Sequence, residues 1–581
     1  MNSIARFKIV VRDFFTSGSL FMIPMFGVVL FMVLGPMILL VLSSLSGEEA
    51  AILTGKYSLS NYIQLLKDPR FLESFANTII VASVSTVFAV LLGVSLAWII
   101  ARTNVPFRKL LGVLIIGPFF LPSFIAAISW VILANPTTGL YNLILMKVFA
   151  LSKPVINIYS LPGLIIVFSF QHAAVIYIFA SGVLKNMDPA LEESSRVLGA
   201  GFFKTTKKIT LSLLVPAMFG AGILCFEEAA GDFGIAATIG IPGKVKMAVT
   251  DIYTYTNYFP PDYGYAAGYS LFLIVMASIL LWVQRRIVRR KSYVTVTGKG
   301  YRPSIIDIGK WRYLAFSLCV IYVLFATIFP YSVLAAGSIM NKIELDFSLS
   351  NLTLKYWFEV ISFDIVQSAI KNSLVIAAGG GFLCLLLCIV ISYIVQRSLI
   401  KGRALLDYVS MLPIAVPGVV LGVGILWLYM SLPVGIYGTM WILIIAFSTK
   451  RMPWGVQAVS ANFRQVHREL EESSTVLGGS WLKTLRKVTL PIMKPGLAAA
   501  YALLFVEFLK NLNLSILLYS DNSVVIPVII YNFFNERGET QLTCCLAFLE
   551  VVILFVVLYV TSKIVGGGIA EIGTTKQQVS S

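Results

Sequence analysis

The chain has 581 residues, 58% of them hydrophobic and 13% charged, with a mean hydropathy of +0.87 and a formal net charge of +17. A water-soluble protein of this length could not cover so much apolar surface, and the alternating strands of a membrane β-barrel are absent from the sequence. The excess of Lys and Arg reads as basic loops on one membrane face, so the expected surrounding is a lipid bilayer and no nucleic acid.

Arg6, Lys8 and Arg12 precede an apolar run that reaches residue 45. That run is too long for a signal peptide and lacks a small-residue cleavage site, so it reads as a first span. Apolar runs of about 20 residues cross the hydrocarbon as helices, because lipid offers no partner to an unpaired backbone group. The pattern predicts twelve spans: 20–45, 76–101, 109–134, 161–183, 213–231, 265–288, 313–338, 371–396, 404–430, 436–459, 495–519 and 543–565. The expected fold class is an all-α polytopic membrane protein. Most basic residues fall on one side if both termini are cytoplasmic, including the cluster Arg285, Arg286, Arg289, Arg290 and Lys291.

The two halves repeat each other. NTIIVASVSTVFAVLLGVSLAWIIAR opens at Asn77, and NSLVIAAGGGFLCLLLCIVISYIVQR opens at Asn372. Each leads through a short basic loop to a segment with two prolines, GPFFLPS (Pro118, Pro122) and LPIAVPG (Pro413, Pro417). Both halves run from inside to inside, so they are parallel six-helix repeats related by an axis along the membrane normal. The predicted organisation is a first half (1–288), a basic cytoplasmic linker (289–312), a second half (313–565) and a cytoplasmic tail (566–581). The six cysteines all lie in apolar segments, and there are only two histidines, His172 and His467. The CxxxC of Cys384 and Cys388 falls inside a span and reads as helix packing. Neither a disulfide framework nor a metal site is expected, and no catalytic residue set emerges.

One polar phrase occurs twice. LEESSRVLGAGFFKTTKKITL begins at Leu191 and LEESSTVLGGSWLKTLRKVTL at Leu470, an offset of 279 (470 − 191); 14 of 26 positions match from 191 to 216. Asp188-Pro189 is a helix start, with Glu192 and Glu193 near the positive end of the helix dipole. Leu191, Ser194, Ser195 and Leu198 fall on one face, and Gly199 interrupts. The phrase therefore predicts a short helix, a sharp turn and a second helix on the inner membrane surface. A lone copy could be an ordinary interfacial helix. Two copies on the same side point to a partner that also comes in two equivalent copies.

The phrase resembles the EAA motif (Glu-Ala-Ala, three residues, Gly, then a run to Leu-Pro) of ATP-binding-cassette importer permeases. It reads Glu193-Ser194-Ser195-Arg196-Val197-Leu198-Gly199 in the first copy and Glu472-Ser473-Ser474-Thr475-Val476-Leu477-Gly478 in the second. Leu490-Pro491 keeps the terminal pair, whereas the first copy has Leu211-Ser212, which predicts two copies similar in shape but joined unequally firmly to the next span. With the topology, the resemblance covers nearly the whole chain and is to the fused, two-half permeases of the ferric-iron and thiamine type. It implies the type I importer permease fold in a bacterial inner membrane. It implies two coupling helices seated in two copies of a cytoplasmic ATPase, formed by Leu191, Glu192, Glu193, Ser194, Ser195 and Gly199, and by Leu470, Glu471, Glu472, Ser473, Ser474 and Gly478. It also implies an extracytoplasmic substrate-binding protein. No GxxxxGK[ST] occurs in the sequence, so ATP is expected on the partner subunits and no cofactor in this chain.

Charges inside a bilayer are costly and usually line a cavity or pair with each other. The fifth span carries CFEEAAGDFG and the eleventh FVEFLKNLN; at the same offset Glu228 matches Glu507 and Asp232 matches Asn511. Those four residues are the expected translocation pathway or gate, with structural hydrogen bonding as the competing role. Glu550, without a counterpart, reads as structural, and His172 as a polar packing residue. GDFGIAATIG and the linker RKSYVTVTGKGYRP resemble the ferric-iron permeases, which makes ferric iron the expected cargo, ahead of thiamine, aminoethylphosphonate, sugar phosphate or polyamine. The reading from another class is a secondary transporter driven by an ion gradient.

Overall fold

The computed structural model describes residues 19–46, 57–289, 305–344, 348–398 and 402–565. Most of the expected linker and the whole tail lie outside these residues. Among the described residues, nine helices are long and apolar enough to cross a membrane, or eleven when each of two sharply bent pairs counts as one span. Met440–Gln465 completes twelve; its Lys450, Arg451 and Arg464 lower its apolar character. The all-α, twelve-helix expectation therefore holds, with differences at three spans.

The expected continuous helices 109–134 and 404–430 are each broken. Arg108–Phe120 meets Ser123–Ala134 at 103°, and Arg403–Ala415 meets Gly418–Ser431 at 113°. The breaks fall at Pro122 and Pro417. Each proline lacks an amide hydrogen and pushes its predecessor out of the helical region, so Leu121 and Val416 are extended (ψ 122° and 114°). The fifth span ends where expected, at Gly231, whereas the eleventh differs. Their helices end at Gly231 and Leu509, and the chain restarts in the short helices Phe233–Ile235 and Leu512–Leu518. The eleventh span, expected as 495–519, is thus not one helix.

The halves are not side-by-side blocks, because each first span crosses to the other half. Ser19–Leu45 packs against Gly418–Ser431, where a Cβ on Gly424 would stand 2.7 Å from the Pro36 carbonyl oxygen and one on Gly35 3.1 Å from Leu428. Reciprocally, the seventh span reaches the first half: Thr327 Oγ1 donates to the Leu114 carbonyl (2.9 Å), Tyr331 to Gly117 (3.0 Å) and Tyr322 to Phe170 (2.8 Å).

Inside each half the second and fourth spans pack through small residues, as membrane helices do when no hydrophobic force drives them together. Gly93 accommodates Ile176 in the first half; in the second the sizes are exchanged, and Gly455 accommodates Cys388. Cys384, Cys388 and Ser392 line up with the carbonyls of Ser448, Met452 and Val456. All six cysteines are free and buried, so the CxxxC pair has the packing role expected of it.

A Gly35→Cys, Leu428→Cys pair should form a disulfide on mild oxidation. After cleavage at a protease site placed between residues 290 and 304, the two halves should then migrate together until reduced. Separate fragments before reduction would contradict the crossing.

Candidate functional site

The repeated phrase folds as expected. Pro189–Val197 and Arg468–Val476 are short helices, turned by Gly199 (φ +79°) and Gly478 (φ +80°) into the next helical segment. Asp188 caps the first by accepting the Ala190 amide (2.9 Å), whereas His467 makes no such bond. The turn is braced identically in both copies, by Ser195 to Thr205 (3.0 Å) and Ser474 to Thr484 (2.8 Å). Both copies then enter the next span through a π turn, Thr206–Thr210 and Leu485–Thr489. Pro491 sits in a first turn where no amide hydrogen is required, so Ser212 and Pro491 give the same geometry. The two junctions are similar in shape, as expected.

The structure separates the paired acids. Glu192 is buried against the fully buried Arg102 (3.7 Å) and accepts the Thr210 hydroxyl at 2.5 Å. Glu471 repeats this with Arg397 (3.1 Å) and Thr489 (3.0 Å), and Arg397 also donates to the Phe463 and Val466 carbonyls. Each clamp ties the short helix to the end of the second span and to the start of the fifth or its counterpart. Glu193 and Glu472 are exposed, as are Ser194 and Ser473, and Leu191 and Leu470 are half-exposed.

Four residues outside the expected coupling sets stand at the tips. Val197 and Leu198 are 87% and 86% exposed, Val476 and Leu477 86% and 87%. Apolar side chains so fully presented on a polar helix mark an interaction surface. Their signal was available: VL is identical in both copies.

Residues 305–308 fasten to the first half beside its clamp. Ile306 N–H donates to the Arg102 carbonyl (2.8 Å) and the Asn104 amide to Asp307. The Asp307 carboxylate also accepts the Gly309 N–H (2.9 Å). That backbone bond first, and the Asn104 bond second, hold its pKa below the usual aspartate value.

Between the halves lies a cavity lined by all four expected pathway residues, Glu228, Asp232, Glu507 and Asn511, together with Glu227, His172, Lys450, Arg451 and Lys510. Their roles differ. Asp232 accepts the Ile235 N–H (2.8 Å) and the Ser123 hydroxyl (2.5 Å); Asn511 accepts the Leu514 N–H (3.1 Å). Both are N-caps of the short helices that follow the breaks. Across the halves, the Asn513 side chain accepts the Phe233 N–H (3.0 Å).

The cations of the tenth span were the main omission. Lys450 pairs with Glu227 (3.1 Å) and donates to the Val416 and Pro413 carbonyls freed by the proline break. Gln171, its counterpart at offset 279 (450 − 171), does the same for the Leu121 carbonyl (3.1 Å). Arg451 pairs with Glu507 (2.7 Å), which also takes Lys510 (2.7 Å). His172, the counterpart of Arg451 (451 − 172 = 279), faces Glu228 at 3.7 Å. Two adjacent cations in a span should have marked this helix as lining a polar space.

A family profile described as "Binding-protein-dependent transport system inner membrane component" matches residues 89–293 and 389–570, once in each half. The chain belongs to this family. It is a permease subunit, and the double match is that of two fused halves. The ferric transport system permease protein FbpB of Actinobacillus pleuropneumoniae is 26% identical, over 97% of this permease and 80% of that protein. The putative ferric transport system permease protein FbpB 1 of Haemophilus influenzae is 27% identical, over 94% and 83%. The sulfate transport system permease protein CysT of Salmonella typhimurium is 27% identical, over 40% of this permease and 83% of its own chain.

The division of the acids sets a contrast measurable by thermal unfolding in detergent. Glu471→Gln leaves Arg397 without its charge partner in a largely buried site and should cost about 3–5 kcal/mol. Glu472→Gln, on the exposed face, should stay within about 0.5 kcal/mol of the unsubstituted permease. Equal losses in both would remove the distinction.

Proposed function

We propose that this permease forms the membrane path of a ferric-iron importer, with both termini cytoplasmic. A separate ATPase docks on each coupling helix, and an extracytoplasmic binding protein delivers the cargo. The observation that carries the cargo is the likeness, over more than nine-tenths of the chain, to two proteins named as ferric transport permeases. ATP is bound by the partner subunits, and this chain contributes transport rather than hydrolysis.

The geometry supports a simple transmission. A groove in each ATPase takes the apolar tips, Val197 and Leu198 on one side and Val476 and Leu477 on the other, with Glu193 and Glu472 beside them. The clamps Arg102–Glu192–Thr210 and Arg397–Glu471–Thr489 prevent the short helix from moving alone. Displacement passes to Leu211–Gly231 and Leu490–Leu509. At about 1.5 Å per residue these rods are roughly 30 Å long, and they end at the cavity between the halves. Drawing the two ATPases together therefore shifts both cavity walls at once, and the crossed first spans keep the halves together as they rock.

Reconstitution with the ATPase and the iron-loaded binding protein in proteoliposomes should give ATP-dependent uptake of radioactive iron. Leu198→Asp with Leu477→Asp should abolish it, leaving the permease folded but without copurifying ATPase. Uptake of thiamine, a phosphonate or a polyamine in place of iron would overturn the cargo, and uptake without any ATPase would overturn the coupling.

A further inference from the structure

The cavity holds four carboxylates, and three of them are committed. Glu227 is taken by Lys450, Glu507 by Arg451 and Lys510, and Asp232 by Ser123 and the backbone it caps. The two committed glutamates are nearly buried, with 13% side-chain exposure at Glu227 and 10% at Glu507. Glu228 is different. Its side chain is 48% exposed and lines the cavity, and the basic side chain that faces it is the imidazole of His172, at 3.7 Å.

The two-fold repeat makes the difference informative. Glu228 and Glu507 occupy equivalent positions, and so do His172 and Arg451. In the second half the position opposite the carboxylate carries a permanent cation with a fork of donors. In the first it carries an imidazole, which at neutral pH is mostly uncharged. The repeat supplies no second cation either, because the counterpart of Lys510 is Gly231 (510 − 231 = 279). Lys510 itself is turned to Glu507 and lies over the Phe119 ring at 5.0 Å. Packing on the fourth span holds the imidazole in place: His172 is only 5% exposed, is stacked on Phe168 (5.6 Å), and its carbonyl lies 3.9 Å from the Cys225 thiol.

We propose that Glu228 is the carboxylate with which a multivalent cation makes contact on its way through the cavity, and that His172 is a positioning residue that borders Glu228 without neutralising it. The second half supplies the closed counterpart of the same pair, so the path is lined asymmetrically by symmetric positions. This rests on the cation-importing function proposed above.

Carbodiimide modification of the full-length permease in nanodiscs, mapped by mass spectrometry, reads the state of each carboxylate without transport. Glu228 should be modified several-fold more than Glu227 and Glu507, and Ga(III), a redox-inert trivalent probe, should protect it. His172→Arg should lower Glu228 modification to the level of Glu507, whereas His172→Gln should leave it high. The proposal is overturned by equal modification of Glu228 and Glu507, by no protection with Ga(III), or by a monodisperse His172→Arg permease in which Glu228 reacts as before. If these arms hold while the reconstituted system takes up no iron, the cargo reading fails and the cation contact stands.

Discussion

Hydrocarbon gives a polar group no water to fall back on, so every break and every charge inside the bundle needs a partner from the protein itself. That constraint organises the structure. Two proline breaks free backbone carbonyls within the membrane, and the fourth span of each half supplies the side chain that meets them, Gln171 in one and Lys450 in the other. Two helices break off at Gly231 and Leu509, and Asp232 and Asn511 cap the restart. The polar lining of the cavity is thus largely built from the repairs that its own irregular backbone requires.

The same rule links the site to the surface. Arg102 and Arg397 close the second spans and bury themselves against Glu192 and Glu471. A buried pair of this kind is weak evidence for stability but strongly fixes geometry, because separating the partners leaves a bare charge. Here what is fixed is the angle between the short helix of the repeated phrase and a rod that ends at the cavity. The fused architecture adds one asymmetry. Residues 305–308 fasten to the first half next to its clamp, and among the described residues the second half has no such strap.

Repetition in the sequence is a good guide to position and a poorer guide to role. Matching Glu228 with Glu507 and Asp232 with Asn511 brings four residues to one cavity, yet two of them are caps and one is neutralised. The two glutamates of each LEESS look alike in the sequence, whereas the first faces an arginine inside the bundle and the second is exposed. Side-chain partners come from elements far apart in the chain, and a pattern along one helix does not reveal what faces it.

Composition and hydropathy by themselves determined the helical class, because a backbone in lipid has few other solutions. The offset of 279 determined the two halves and their parallel sense, and the glycine after each VL determined the turn. Only the tertiary structure decided that the first spans exchange halves, since apolar helices of similar length carry no address for their neighbours. It alone decided that Pro122 and Pro417 break their spans by more than 100°, because a proline kink is limited only by what can satisfy the freed groups. And it decided which charges cancel: Lys450 and Arg451 lie far in sequence from Glu227 and Glu507, and distance in space sets a Coulomb energy.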